Sequence, residues 1–169
     1  MSLLIDYLAL CWFRNNPAEL HPSTSFMWKT IAFYLISGMI VEGLIADVEG
    51  VIEVWLRIIM AFSSITALLL TVKKWQYFRQ LFIAIFVCEN FIMTLAVGAE
   101  TLNFVMTMNH FEYREYVDVS FATILVCWYL AIVAYILRQV FEFKMTRSLV
   151  LALSYFILTY GIPMMTMDM

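Results

Sequence analysis

The stretch LFIAIFVCENFIMTLAVGA, residues 81–99, is apolar at both ends and carries Glu89 and Asn90 at its centre. As an α-helix, a run of this length matches the hydrocarbon core of a bilayer, which is about 30 Å thick. Glu89 then lies near the membrane midplane, where a carboxyl group needs a partner, a proton or a water-filled cavity. The rest of the chain is therefore expected to shelter this residue.

The overall composition is that of a membrane protein. Hydrophobic residues make up 64% of the 169 residues and charged residues 14%, whereas soluble domains carry roughly 25% charged residues. We predict an all-α fold in which residues 25–169 form one bundle of five transmembrane helices. The predicted spans are 25–45, 51–72, 81–99, 117–137 and 148–165, with a tight acidic turn at Asp47, Glu49 and Gly50 between the first two.

Residues 1–24 are predicted to form a separate N-terminal segment. The apolar run 2–13 is too short to span a bilayer, and Trp12 and Arg14 at its end are typical of the headgroup boundary. We interpret the run as an amphipathic helix lying at the membrane interface, with a frayed tail as the alternative. It lacks the basic start and cleavage site of a secretory signal peptide, so we expect none to be removed.

The basic residues are distributed unevenly between the loops. Eight of the ten fall on the side of the N-terminus in the five-span layout: Arg14, Lys29, Lys73, Lys74, Arg79, Arg138, Lys144 and Arg147. The positive-inside rule therefore predicts a cytoplasmic N-terminus in a multi-pass protein of the bacterial inner membrane. Within the loop 73–79, Lys73, Lys74 and Arg79 are predicted to contact anionic lipid headgroups at the cytoplasmic face, and no nucleic acid is expected as a partner.

Two of the spans carry stripes of polar and small residues at helical spacing, which are expected to face other helices. The stripes are Glu53, Arg57, Ala61, Ser64, Ala67 and Thr71 on span 2, and Ser120, Thr123, Cys127, Ala131, Ala134 and Arg138 on span 4. We predict that Glu53, Arg57 and Ser64 form an intramembrane polar network with Glu89 and Asn90.

Glu89 itself has two interpretations. In the structural one it forms an ion pair with Arg57, or is a protonated acid bonded to Asn90, Ser64 or Thr123. In the functional one it is a proton-linked or cation-linked carboxylate, as intramembrane acids commonly are.

The sequence carries no strong metal or catalytic signature. Met106, Met108 and His110 offer thioether and imidazole ligands that suit Cu(I), but Met is also a flexible apolar filler. The three cysteines have neither zinc-site nor disulfide spacing. We therefore predict no metal, no cofactor and no catalytic residues, and we do not expect an enzyme.

The opening segment DYLALCWFRNNPAEL, residues 6–20, followed by Pro22 and Ser23, resembles the start of small bacterial inner-membrane proteins. The layout of a cytoplasmic N-terminal segment and five spans also resembles the Yip1-like group. This resemblance implies a protein that works through contacts with other membrane proteins. We expect a subunit or assembly factor that binds other integral membrane proteins through helix–helix contacts. The alternative is a small proton- or cation-coupled transporter that uses Glu89.

Overall fold

The computed structural model describes the backbone of residues 2–111 and 113–167, and the side chains of all of these except residues 2, 41–49 and 166–167. The described residues form an all-α fold, as predicted. Its helices are α1 (Ser2–Leu8), α2 (Thr24–Val72), α3 (Phe78–Met108), α4 (Arg114–Phe141), α5 (Met145–Phe156) and α6 (Ile162–Met167). Short 3₁₀ turns cover Ala9–Trp12, Pro17–Glu19 and Trp75–Tyr77, and a π-helical turn, Ile157–Gly161, joins α5 to α6.

Four helical stretches of the described chain are long and apolar enough to cross a membrane. They are Gly50–Val72, Trp75–Met108, Arg114–Phe141 and Met145–Met165, and each contains one of the last four predicted spans or nearly all of it. The chain is therefore a candidate multi-span helical membrane protein, and the remaining predicted span, 25–45, stays a prediction. The third predicted span ended at residue 99, but α3 continues to Met108 because residues 100–108 contain no proline or glycine to stop it.

The first predicted span lies within α2, which has no non-helical residue between its ends but reverses direction. A methyl group added at Gly38 would lie 3.1 Å from Cγ1 of Val54, whereas a straight helix would separate these positions by about 24 Å. Arg79 donates to Thr24 Oγ1 (3.3 Å), and the rings of Phe62 and Phe78 lie 5.4 Å apart.

Both ends of α2 therefore flank the start of α3, and α2 is a hairpin of two limbs. The reversal falls between Gly38 and Val54, the region in which the sequence predicts a turn. The side chains of Asp47 and Glu49, which the prediction gave to that turn, lie outside the described residues.

The close contact at Gly38 gives a test of this hairpin. Gly38→Val should destabilise the protein by about 1–3 kcal/mol, because the added side chain pushes the two limbs apart. Gly98→Val is the matched control, because an added methyl group at Gly98 meets nothing within 4 Å. Thermal unfolding in detergent measures both variants. Equal losses would contradict the hairpin contact.

Helix α3 lies at the centre of the molecule. Every residue from Leu81 to Asn90 is buried, which is the pattern of a helix surrounded on all sides. The two limbs of α2 pack on it, as do α4 and the N-terminal segment. Residues 81–90, in the first half of the stretch 81–99, are therefore the longest fully buried run among the described residues.

The N-terminal segment packs against the bundle, which contradicts the alternative of a frayed tail for its described residues, while its place at the membrane interface stays a prediction. Tyr7, Leu10 and Cys11 are completely buried, and the Trp12 ring lies 5.1 Å from that of Phe91. Trp128 Nε1 donates to the Cys11 carbonyl (2.9 Å). Buried backbone groups need hydrogen-bond partners, and this bond satisfies the Cys11 carbonyl.

The predicted stripes are only partly directed toward other helices. On α2, Ala61 is buried but Ala67 and Thr71 are exposed, because large aliphatic residues two positions away, Ile65 and Leu69, pack inward instead. On α4, Ala134 is buried. The outer residues of that stripe, namely Ser120, Thr123 and Cys127, are exposed.

Candidate functional site

Glu89 is buried at the centre of the bundle and is the acceptor of two tyrosine hydroxyls. Its side chain is only 4% exposed. Its Oε1 accepts a hydrogen bond from Tyr34 OH (2.9 Å) and another from Tyr160 OH. The carboxyl group thus joins α3 to the first limb of α2 and to the π-helical turn. Hydrogen bonds to a carboxyl group offset part of its desolvation cost.

The π-helical turn sets the position of Tyr160. Such turns hold an extra residue and occur frequently at functional sites. Pro163 follows two residues after the turn, and a proline cannot supply the amide that would bond to the carbonyl four residues earlier. Thr159 Oγ1 donates to the Tyr155 carbonyl (2.8 Å) within this region. The sequence therefore distorts the helix where Tyr160 has to reach Glu89.

Further aromatic side chains surround the carboxyl group. The Tyr129 ring lies 6.0 Å from the Tyr160 ring and 6.1 Å from the Phe156 ring. Tyr129 and Tyr155 are both buried, and among the described residues neither hydroxyl has a hydrogen-bond partner. Uncompensated buried hydroxyls are uncommon in proteins. These two hydroxyls can therefore form further hydrogen bonds.

Arg57 and Glu53 form an ion pair beside the tyrosines. Arg57 Nη2 lies 2.6 Å from Glu53 Oε1, one turn away on the same helix. The Arg57 guanidinium also lies over the Tyr160 ring, 4.9 Å from its centre. Arg57 is thus connected to Glu89 through Tyr160, while a direct ion pair between Arg57 and Glu89 stays a prediction.

The remaining members of the predicted network form no described hydrogen bond with Glu89. Asn90 is buried beside Glu89, but no described atom bonds to its Oδ1. Ser64 is half-buried on α2, and no described hydrogen bond joins it to Glu89. Thr123 is exposed and donates to the Val119 carbonyl (2.7 Å), so it is not the partner of Glu89.

An open cavity of about 940 Å³ extends from Glu89 toward the far end of α3. Polar groups from four helical elements line its inner end, whereas its walls are largely apolar. The lining residues are Arg57, Glu89, Ile92, Met93, Ala96, Val97, Glu100, Thr101, Phe104, Ala122, Leu125, Val126, Tyr129, Phe156 and Tyr160. Arg57 and Glu89, two members of the predicted polar network, therefore share one compartment.

The predicted headgroup and copper residues lie away from this cavity. Lys73 and Arg79 are exposed, while Lys74 Nζ donates to the Val140 carbonyl (3.3 Å). Met108 and His110 are exposed near the turn between α3 and α4, and Met106 is half-buried. The described residues contain no group of three or more His, Cys, Asp or Glu side chains that could hold a metal ion.

Sequence reasoning identified Glu89 but missed Tyr34 and Tyr160. A usable signal was present, because tyrosines in membrane helices are usually enriched near the interfaces. Tyr34 lies well inside the predicted span 25–45, far from either end. The sequence matches no protein-family model, no curated protein and no solved structure. The resemblance drawn from the opening segment accordingly stays a prediction.

Proposed function

We propose that this chain is a non-enzymatic subunit or assembly factor of a complex in the bacterial inner membrane. In this proposal it has five spans and a cytoplasmic N-terminus, and it binds other integral membrane proteins through helix contacts. The two-limbed α2 supports the odd number of spans, because each limb then crosses the membrane once. A reporter fused to the C-terminus should be active on the non-cytoplasmic side. A reporter that is active on the cytoplasmic side would exclude this layout.

The outer half of α4 is the observation that supports a partner. Ser120, Thr123 and Cys127 are exposed there, on the side of α4 opposite to the cavity. The hydroxyl groups of Ser120 and Thr123 donate to backbone carbonyls of their own helix. Another helix can therefore approach small side chains whose hydroxyls already have hydrogen-bond partners. Small residues of this kind are enriched where membrane helices pack closely.

Obstructing this face should therefore remove the partner. Thr123→Trp is expected to lower recovery of co-purifying membrane proteins at least tenfold, with unchanged thermal stability of the chain itself. Val150→Trp is the control, since Val150 is an exposed residue of α5 at which tryptophan can be accommodated equally well. Quantitative mass spectrometry after purification in mild detergent measures the difference. Wild-type protein that purifies as a monomer without companions would contradict the proposal.

The second candidate is a small proton- or cation-coupled transporter. The specific observation in its favour is that the open cavity reaches Glu89, which supplies a path to an intramembrane carboxyl group. Purified protein in liposomes should then move protons or cations, and Glu89→Gln should abolish the flux while leaving the fold intact. Flux that is equal in both proteins would exclude this role for Glu89.

A further inference from the structure

We propose that the cavity ending at Glu89 is a binding site for a lipophilic organic cation, with the cationic group held by Glu89 and the surrounding tyrosines. This site is independent of the subunit role and does not require that the ligand be transported.

The charge balance of the cavity favours a cation. Its charged lining residues are Arg57, Glu89 and Glu100, and Arg57 is paired with Glu53 at 2.6 Å. Together with Glu53, three carboxyl groups therefore lie in or beside the cavity, against one arginine. A carboxyl group at this depth needs a counter-charge or a proton, and a bound cation supplies that counter-charge. An anionic ligand would instead be repelled by Glu89.

The aromatic side chains around Glu89 suit an organic cation better than a metal ion. Tyr129, Phe156 and Tyr160 line the inner end of the cavity, next to the carboxyl group. Faces of aromatic rings attract ammonium-type cations, and cages of such rings are a known mode of their recognition. The structure offers few of the oxygen ligands that a hard metal ion requires.

Tyr129 provides independent evidence that the inner end holds a ligand. Its side chain is 3% exposed and lines the cavity, yet its hydroxyl bonds to no described group. A buried hydroxyl without a partner carries a free-energy cost that a ligand or an ordered water can remove. The hydroxyl oxygen can accept a hydrogen bond from a protonated amine or lie against a quaternary ammonium group.

The rest of the cavity suits an apolar ligand body. Its volume of about 940 Å³ lies at the upper end of ordinary small-molecule sites, which are about 300–1,000 Å³. Met93, Val97, Leu125 and Val126 form walls along α3 and α4. A ligand with one cationic group and a bulky hydrocarbon portion can therefore occupy both parts of the cavity.

Binding of tetraphenylphosphonium to the full chain in lipid nanodiscs tests this proposal. Tetraphenylborate has nearly the same shape and the opposite charge, so it controls for purely hydrophobic binding. We expect saturable binding of the cation, with at least tenfold weaker binding of the borate. Glu89→Gln should weaken cation binding at least tenfold. Glu115→Gln, at an exposed position outside the cavity, should bind as the wild type does.

Two further variants keep the test decisive if Glu89→Gln fails to fold. Ala122→Phe should fill part of the cavity and weaken binding without altering the carboxyl group, and Tyr129→Phe should weaken binding of a protonated aryl amine. Equal binding of the two tetraphenyl ions would overturn the proposal, as would wild-type binding by a folded Glu89→Gln variant. Absence of saturable cation binding would also overturn it. A Val97→Cys variant that cross-links to a partner protein would then show that the cavity holds a partner's helix.

Discussion

Glu89→Leu is expected to be the most damaging single substitution in the bundle, with a loss of about 3–5 kcal/mol in the free energy of unfolding. The leucine removes the acceptor of two hydrogen bonds, from Tyr34 and Tyr160. Both hydroxyls then lose this partner, and Tyr34, which is 2% exposed, stays buried. The contact that joins α3 to the first limb of α2 and to the π-helical turn is lost at the same time.

The Arg57→Leu variant should lose less stability than Glu89→Leu. Arg57 forms an ion pair with Glu53, and their side chains are 15% and 17% exposed. Glu53 can therefore be solvated after the arginine is removed, and the two hydrogen bonds to Glu89 remain. This ranking follows from the tyrosine contacts and does not require that Arg57 and Glu89 touch.

A double-mutant cycle separates the hydrogen-bond contribution from general packing. Tyr34→Phe alone should cost about 1–2 kcal/mol, but it should cost almost nothing when Glu89 is already leucine. Val87→Ala serves as a nearby control, because Val87 is buried on the same helix and carries no polar group. Reversible unfolding in mixed micelles provides the free energies. Strictly additive losses for Tyr34 and Glu89 would show that their hydrogen bond contributes nothing to stability.

The four long apolar helical stretches were predictable because a helix suited to a membrane leaves a strong signal in the local sequence. Long apolar runs such as 117–137 are dictated by bilayer thickness, and a lone acid such as Glu89 is conspicuous within them. The same reasoning gave the acidic turn after the first span, in the region where α2 reverses. These features depend on local composition, so a single sequence is enough to find them.

The composition of the site was harder to predict because its partners are distant in sequence. Tyr34 and Glu89 are 55 positions apart, and Tyr160 and Glu89 are 71 apart. Which tyrosine faces the carboxyl group depends on the rotation of each helix. That rotation follows from the packing of large side chains such as Ile65 and Leu69, and a stripe of small residues does not determine it.

The contacts of the N-terminal segment were missed for a related reason. Its length and amphipathic pattern are typical of a helix on the membrane surface. Its own residues do not indicate which surface of the bundle it contacts. The docking surface is supplied by Phe91, Trp128 and Tyr135, far along the chain. Tyr135 OH donates to the Asn15 carbonyl (2.9 Å), and the Phe13 ring contacts the Tyr135 ring edge-on. Only the folded bundle brings these groups to the segment.

Leu10→Ala should therefore destabilise the protein by about 2–4 kcal/mol, because Leu10 is completely buried and its removal leaves a cavity. The matched control is Leu4→Ala in the same segment. Leu4 is 45% exposed, so its truncation should cost less than about 1 kcal/mol. Unfolding in detergent compares the two variants under identical conditions. A segment without contacts to the bundle would give small and similar effects at both positions, and that result would refute packing of the N-terminal segment against the bundle.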